Sequence, residues 1–406
     1  MSGVTAHIYQ RDICDIKGMW KEQLNLLIPV LPKVYDDKII IELLRKYFPY
    51  EWEYTVQVYH YYRTKDKYIK HRFGKSRYNA KESELLIREV STFKKILSEV
   101  FAKKHELLFS EEKYDIAVNE LWQKRKHKIQ KIQIKIEKAL LKTQQVTPRF
   151  IDQLIGYYER KNTSQRDRLY ILQELKKYYN NKVIQFFLKL NDTELNRQLR
   201  EEAFYHLQSL NFKPRLRRQK YMHIHTKNKK RKNYLKKIYS CEHSDITGTP
   251  SELEYRIENS KEQKIKWYDY FISHSSRDFK TVQELIVYEN KQGKNIFCDW
   301  INDVDYLKRD LLCEATLKVI EKRMEQSNAL IFVESESSRG SLWCKYELNY
   351  FRDLQKPMYC VSKKAIEEGT FDIKILNDEW YVDEDYKKLV LIEKNKFINS
   401  IAECNG

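Results

Sequence analysis

Three short segments in the last third of the chain carry side chains whose types and spacing suit chemistry. The first is FISHSSRDF, Phe271 to Phe279. In it Ser275 and Asp278 have the Ser-x-x-Asp spacing of a capping box, which leaves Ser273, His274 and Ser276 to offer hydroxyl and imidazole groups beside a helix N-terminus. Free backbone N–H groups there favour a phosphate. The second is CDWINDVDYLKRD, Cys298 to Asp310, an acidic and aromatic loop. The third is SESSRGSLWCKYEL, Ser335 to Leu348, a serine-rich loop entering a helix. On that helix Cys344, Leu348 and Phe351 form a core stripe, whereas Trp343, Glu347 and Tyr350 form a separate one. Glu347 therefore shares a face with a tryptophan one turn earlier.

The elements that must position these residues follow from the apolar pattern. Five short apolar or aromatic runs (Trp267–Ser273, Asn295–Trp300, Ala329–Val333, Met358–Val361 and Glu379–Val382) alternate with helical stretches at Asp278–Glu289, Leu311–Met324 and Leu342–Leu354. Buried strands alternating with helices of that length imply a parallel sheet covered on both faces, with ligands bound outside the carboxyl ends of its strands. Residues 1 to 240 are different. They contain four glycines and long runs at helical spacing: Ser83–Leu108, Lys126–Leu141, a run opened by Pro148, and Glu194–Leu210 with Asp192 or Thr193 as its cap. Trp52–Tyr62 alternates loosely enough to include a strand. Ser244–Glu252, a cluster of turn formers, reads as a linker.

In order and at this spacing, YDYFISHSSRDF, FCDW, SNALIFVES and SLWCKYEL resemble the Toll/interleukin receptor (TIR) domain in its bacterial NAD-cleaving form. The resemblance covers roughly residues 266 to 400. It implies a flavodoxin-like α/β fold with a parallel five-stranded sheet, and it implies that Glu347 is the catalytic carboxylate. Breaking the bond between ribose and nicotinamide passes through an oxocarbenium-like state, and the pyridinium leaves neutral without protonation. One carboxylate that holds the ribose hydroxyls and faces the developing positive charge therefore suffices. The resemblance places Phe271 and Trp343 as apolar or stacking surface and Ser273, His274 and Ser275 near the ribose or pyrophosphate, with Asp299, Trp300 and Arg309 as further substrate contacts. Where the family commonly has a Pro-Gly or Gly turn after the second strand, this chain has Leu307, Lys308, Arg309 and Asp310.

Composition bounds the rest. The chain has 406 residues and a formal net charge of +18, with 9 glycines and 7 prolines, too few for a collagen-like, low-complexity or turn-rich all-β protein. No apolar stretch approaches the roughly 18 residues needed to span a bilayer, the N-terminus lacks the apolar core of a signal peptide, and the 7 cysteines show no regular spacing. The expectation is a cytoplasmic protein with free thiols. Residues 251–406 hold 24 Lys+Arg against 29 Asp+Glu, a net of −5, which leaves +23 on the residues before them. The basic residues concentrate between Arg215 and Lys237, where Arg215, Arg217, Arg218, Lys229, Lys230 and Arg231 are candidate phosphate contacts for nucleic acid. Phe73-Gly74-Lys75-Ser76 is no phosphate loop, because Ile69 stands where the first glycine is required. His223, His225, Cys241 and His243 fit no standard zinc spacing, so no metal and no cofactor beyond NAD+ as substrate is expected.

The expected organisation is a basic, mainly α-helical sensor or assembly region at 1–243, a linker at 244–265 and a TIR domain at 266–406. The expected function is NAD+ cleavage to nicotinamide and ADP-ribose or a cyclic ADP-ribose, activated by TIR self-association in antiphage defence. The alternatives are a non-catalytic TIR adaptor and a nucleic-acid-binding protein with an accessory TIR domain.

Overall fold

A computed structural model describes residues 4–215, 227–230, 233, 245–246, 248–307, 313–376 and 394–398. The chain divides into two units: residues 1–137 with 211–213, and residues 138–210 with 214–406. The division falls about a hundred residues before the boundary expected at 243. The helices after residue 137 are packed into the same unit as the sheet.

The first unit is helical: α1 (Val4–Leu27), α2 (Asp37–Tyr47), α3 (Pro49–Phe73), α4 (Ser83–Arg88), α5 (Ser91–Ile96), α6 (Glu99–Leu108) and most of α7 (Glu111–Leu140). Its core is built from Trp20, Leu24, Leu44, Phe48 and Phe93, each at most 1% exposed. Trp20 satisfies its indole N–H on Thr55 Oγ1 at 2.9 Å. Buried Arg125 is paired with Glu51 at 2.7 and 2.9 Å. Two expectations change here. Trp52–Tyr62 lies inside α3, so its loose alternation is the aromatic pattern of a helix. Ser83–Leu108 is three helices, broken where Val90 and Ser98 adopt extended backbone; the Ser98 hydroxyl caps α6 by accepting from Phe101 N.

The second unit opens with α8 (Phe150–Glu159), α9 (Gln165–Lys176), α10 (Asn181–Thr193) and α11 (Arg197–Ser209). The run after Pro148 divides at Ser164, whose side chain caps α9. α10 continues through Thr193, and Asn196 caps α11 instead, accepting from Leu199 N at 3.1 Å. The expected linker is largely helix. Thr249 caps and Pro250 opens α12 (Pro250–Asn259), followed by α13 (Lys261–Lys264). Leu253 and Ile257 of α12 are buried against Tyr170, Tyr306 and Val319. Gly248 is required just before it, because a Cβ there would come within 2.4 Å of the Asp305 carbonyl oxygen.

The sheet comprises β1 (Tyr268–Ser273), β2 (Ile296–Phe297), β3 (Ser327–Glu334), β4 (Met358–Ser362) and β5 (Lys374–Ile375), in the order β2-β1-β3-β4-β5. Its first four strands are parallel, in register at Phe271–Phe297, Phe271–Leu330 and Leu330–Met358. β5 is antiparallel to β4, so the sheet is mixed and not purely parallel as expected. It is a two-residue exposed edge strand; the expected fifth strand, Glu379–Val382, lies outside the described residues. Connecting helices are α14 (Phe279–Lys291), α15 (Asp299–Asn302), α16 (Glu314–Glu325), α17 (Glu336–Gly340), α18 (Leu342–Asp353) and α19 (Lys363–Glu367). Alternate strand residues feed two cores: Phe271, Leu330 and Phe332 pack with Cys344 and Phe351, while Ile272, Ile331 and Val333 pack with Val282 and Leu285. Burial on both faces is why these strands read as unbroken apolar runs.

The connection between α7 and α8 also closes the outer edge of the sheet. The Gln144 side-chain amide pairs with the backbone of Ile296 in β2: its Oε1 accepts from Ile296 N at 3.0 Å and its Nε2 donates to Ile296 O. One side chain thereby satisfies backbone groups that an edge strand would leave open. Beside it lies a fully buried charge network. Glu174 of α9 is ion-paired with Lys266 and with Lys177 at 3.0 Å, and it accepts from Gln263 at 3.0 Å. Arg323 of α16 donates to Asp303 at 2.7 Å and to Gln263 at 2.8 Å. Burial alone would raise both carboxyls, but the surrounding cations hold Glu174 and Asp303 below the usual carboxylate range. Burial pulls the Lys266 ammonium down to about 7 against the opposing pull of Glu174.

Candidate active site

The strand order reverses across β1, with β2 on one side and β3 on the other, so the carboxyl end of β1 is the crevice where a doubly wound sheet binds its ligand. Ser273 is the last residue of β1 and is fully buried. It shares a strand face with Phe271 and so points to the side covered by α18. There its hydroxyl donates to Glu347 Oε2 at 2.6 Å. Ser341 caps α18, its hydroxyl accepting from Cys344 N, and the core stripe Cys344, Leu348 and Phe351 is fully buried, which fixes the rotation of the helix. Glu347 is 9% exposed. Burial is the main cause pushing its carboxyl up to about 8; the Asp299 charge adds to the rise and the Ser273 hydroxyl opposes it. A buried carboxyl poised near neutrality at the carboxyl edge of such a sheet is a candidate for holding or taking protons.

His274 follows directly. Its Nδ1 lies 3.2 Å from the Ile272 carbonyl oxygen, an acceptor only, so Nδ1 carries the proton and Nε2 faces Asp299 Oδ1 at 3.9 Å. Asp299 opens α15 after β2, is half exposed, and accepts from Trp300 N at 2.8 Å. The Trp300 ring lies 4.4 Å from that of Phe279, and its buried indole N–H has no partner among the described residues. His274, Cys298 and Asp299 bring one potential metal-ligand atom each within 4.8 Å of one another. Burial holds the Cys298 thiol well above its usual value, which works against the thiolate a metal would need.

Among the expected site residues, Ser273, His274, Asp299 and Glu347 converge, and Trp300 flanks them. Trp343 is half buried one turn before Glu347, its ring edge-on to Phe397 at 4.8 Å. Phe271 is not a substrate surface. It is 2% exposed and stacked on Phe297 at 5.2 Å beneath Ser273, because both faces of the strand are covered. The Ser275 hydroxyl accepts from Arg277 N at 3.3 Å and caps a single turn. Asp278 does not close a box with it: buried, it ties the loop to the end of β3 and to α19 by accepting from Ser335 at 2.5 Å and Lys363 at 3.0 Å. Arg309 lies outside the described residues, as do Arg217, Arg218 and Arg231; Arg215, Lys229 and Lys230 are exposed. Sequence reasoning missed the role of Asp303. A buried acid four residues after Asp299 is legible only once Arg323 is placed beside it.

Comparison with known proteins identifies the family. The model of the Thoeris protein ThsB, TIR-like domain, matches residues 271–367. Over 385 residues the chain is 34% identical to the Cytobacillus dafuensis protein named "Putative cyclic ADP-D-ribose synthase TIR2", covering 94% of this chain and 98% of that one. A Bacillus cereus (strain MSX-D12) protein named "Probable 3' cyclic ADP-D-ribose synthase ThsB'" is 29% identical over 184 residues, 45% of this chain and 89% of that one. Toll-like receptor 2 of Bison bison is 33% identical over 132 residues, 29% of this chain and 16% of the receptor. No solved structure matches. With a buried glutamate at the carboxyl edge of a TIR sheet and a relative aligned along nearly its whole length, the chain belongs to the bacterial TIR-domain family of NAD-cleaving proteins.

Proposed function

We propose that this protein cleaves the nicotinamide–ribose bond of NAD+ and closes the remaining ADP-ribose into a cyclic product, with Glu347 as the catalytic residue. The observation that carries this reading is the buried pair of Ser273 and Glu347, 2.6 Å apart at the strand ends where β1 meets its neighbours. The bond from the ribose anomeric carbon to the pyridinium nitrogen breaks, its electron pair leaves with neutral nicotinamide, and positive charge develops on the ribose ring. The Glu347 carboxylate stabilises that charge in a site with little water to screen it. The nucleophile that captures the anomeric carbon, a hydroxyl of the same molecule or a water, must then lose one proton, and a carboxyl with its value near 8 is well placed to accept it. Capture by a group of the same molecule gives a cyclic product, the kind of product named for the two bacterial relatives; water gives ADP-ribose. Ser273 holds the carboxylate in place, and His274 and Asp299 border the same cleft.

Self-association through the TIR domains would set when this happens, as part of an antiphage response, with the exposed basic residues Arg215, Lys229 and Lys230 meeting an anionic partner, nucleic acid among them. The deciding experiment follows NAD+, nicotinamide and ADP-ribose products by chromatography and mass for the wild type and Glu347→Gln. The expected result is loss of turnover by about three orders of magnitude in the variant, with a wild-type product one water lighter than ADP-ribose. Equal consumption of NAD+ by the two proteins would remove the assignment. Tight, salt-sensitive nucleic-acid binding without NAD+ consumption would favour the accessory reading of the TIR domain.

A further inference from the structure

A cavity in the described residues lies far from the sheet in sequence and has no part in the chemistry above. It has a volume of about 570 Å³ and is formed in the first unit by the Pro29–Leu31 segment, the end of α5, all of α6 and the start of α7. Rings line it. His105 lies parallel to Phe101 with centroids 6.4 Å apart and edge-on to Phe109 at 6.0 Å, and Phe109 is tilted against Tyr114 at 5.6 Å. The His105 ring is fixed from behind by its Nε2 contact to the Pro32 carbonyl oxygen at 3.1 Å. Three lysines, Lys95, Lys104 and Lys113, also line the cavity, and none of its lining residues is acidic. All three are exposed. α6 has no buried residue, and Val100 and Leu108 on the cavity are 81% and 71% exposed.

These features select a ligand by chemistry. The volume lies within the roughly 300–1,000 Å³ of small-molecule sites, which are largely apolar with a few converging polar groups. Aromatic walls favour a flat or branched apolar body. Three exposed ammonium groups without a lining carboxylate make the lining positive, which repels a cation, leaves a neutral ligand without a charge contact and attracts a single negative group. The apolar side chains left in solvent on α6 are the surface such a body would cover. We propose that this cavity binds an amphipathic anion, a small molecule with an aromatic or branched apolar body and one carboxylate, sulfonate or phosphate group held among Lys95, Lys104 and Lys113. The site is independent of NAD+ cleavage and stands whether or not Glu347 is catalytic.

The test is a fluorescence titration of the full chain with anilinonaphthalene sulfonate, and with N-phenylnaphthylamine as a neutral probe of the same ring system. The expected result is one saturable sulfonate site per chain, with the neutral probe about tenfold weaker. Lys104→Glu changes only an exposed side chain and is expected to weaken the sulfonate about tenfold; Ala117→Trp, which fills the cavity, is expected to abolish binding of both probes. Lys161→Glu, an equal charge reversal on an exposed residue of the second unit, is expected to bind as the wild type. Equal affinity for the two probes, or sulfonate binding unchanged in Lys104→Glu, would overturn the proposal. Circular dichroism on each variant separates loss of the site from loss of the fold, and Lys104→Glu decides the matter if Ala117→Trp does not fold.

Discussion

Burial disfavours the charge on Glu347 and pushes its carboxyl up to about 8, whereas the reaction proposed for it needs that charge. The specificity constant kcat/KM, which reports ionisations of the free enzyme, should therefore rise with pH through about 8 and then level off. Ser273→Ala removes the hydroxyl that opposes the shift, so its rising limb should move to higher pH while its plateau stays closer to that of the wild type; a change in packing alone would lower the whole profile. Stability runs the other way. Between the ordinary value of 4.5 and about 8 the folded state holds a proton that the unfolded state has released, so Glu347 makes the fold less stable as pH rises through that window. Glu347→Gln carries no such charge. Its melting temperature should gain on that of the wild type as pH rises from 5 to 8, by about 3.5 kcal/mol in the corresponding stability. Helical spacing alone made Glu347 and Trp343 legible as a pair. It did not reveal that Ser273 serves the carboxylate directly, nor that Phe271 lies in the core, because alternation in a strand covered on both faces does not say which side is open.

At the scale of elements, the strands and helices of the TIR core could be read to within a few residues, since apolar runs and capping residues both mark their ends. The misreadings have a common cause. Where Ser83–Leu108 keeps helical spacing across Val90 and Ser98, a cap interrupts the backbone without interrupting the apolar stripe. The antiparallel β5 is two exposed residues with no apolar run to announce it. Gln144 was invisible as well, since a glutamine between two helices reads as solvated, yet it serves the backbone of Ile296 from 152 residues away. Gln144→Ala should leave the β2 edge with unpaired buried groups and cost about 1–3 kcal/mol, measured as a lowered denaturant midpoint with an unchanged slope.

For the molecule as a whole, the charge division at residue 250 described composition and not architecture. Residues 138–210 belong with the sheet, and the network of Glu174, Lys177, Lys266, Asp303 and Arg323 is the reason they cannot be trimmed away. A fragment of residues 138–406 should melt cooperatively. One of residues 266–406, which strands Lys266 without Glu174 and leaves β2 without Gln144, should not, as circular dichroism would show. Within the full chain, Glu174→Ala should cost about 3–5 kcal/mol, because a buried ammonium without its partner is worse than no pair at all. Charged residues are read from sequence as surface, and here that habit hid a buried tie between the helices and the sheet. The same tie limits how such proteins can be recombined. The helices and the sheet share a lock in which Glu174 must arrive with Lys266, and Lys177 with Asp303, so a chimera that joins one relative's helices to another's catalytic half inherits a working enzyme only if both halves of each pair are matched.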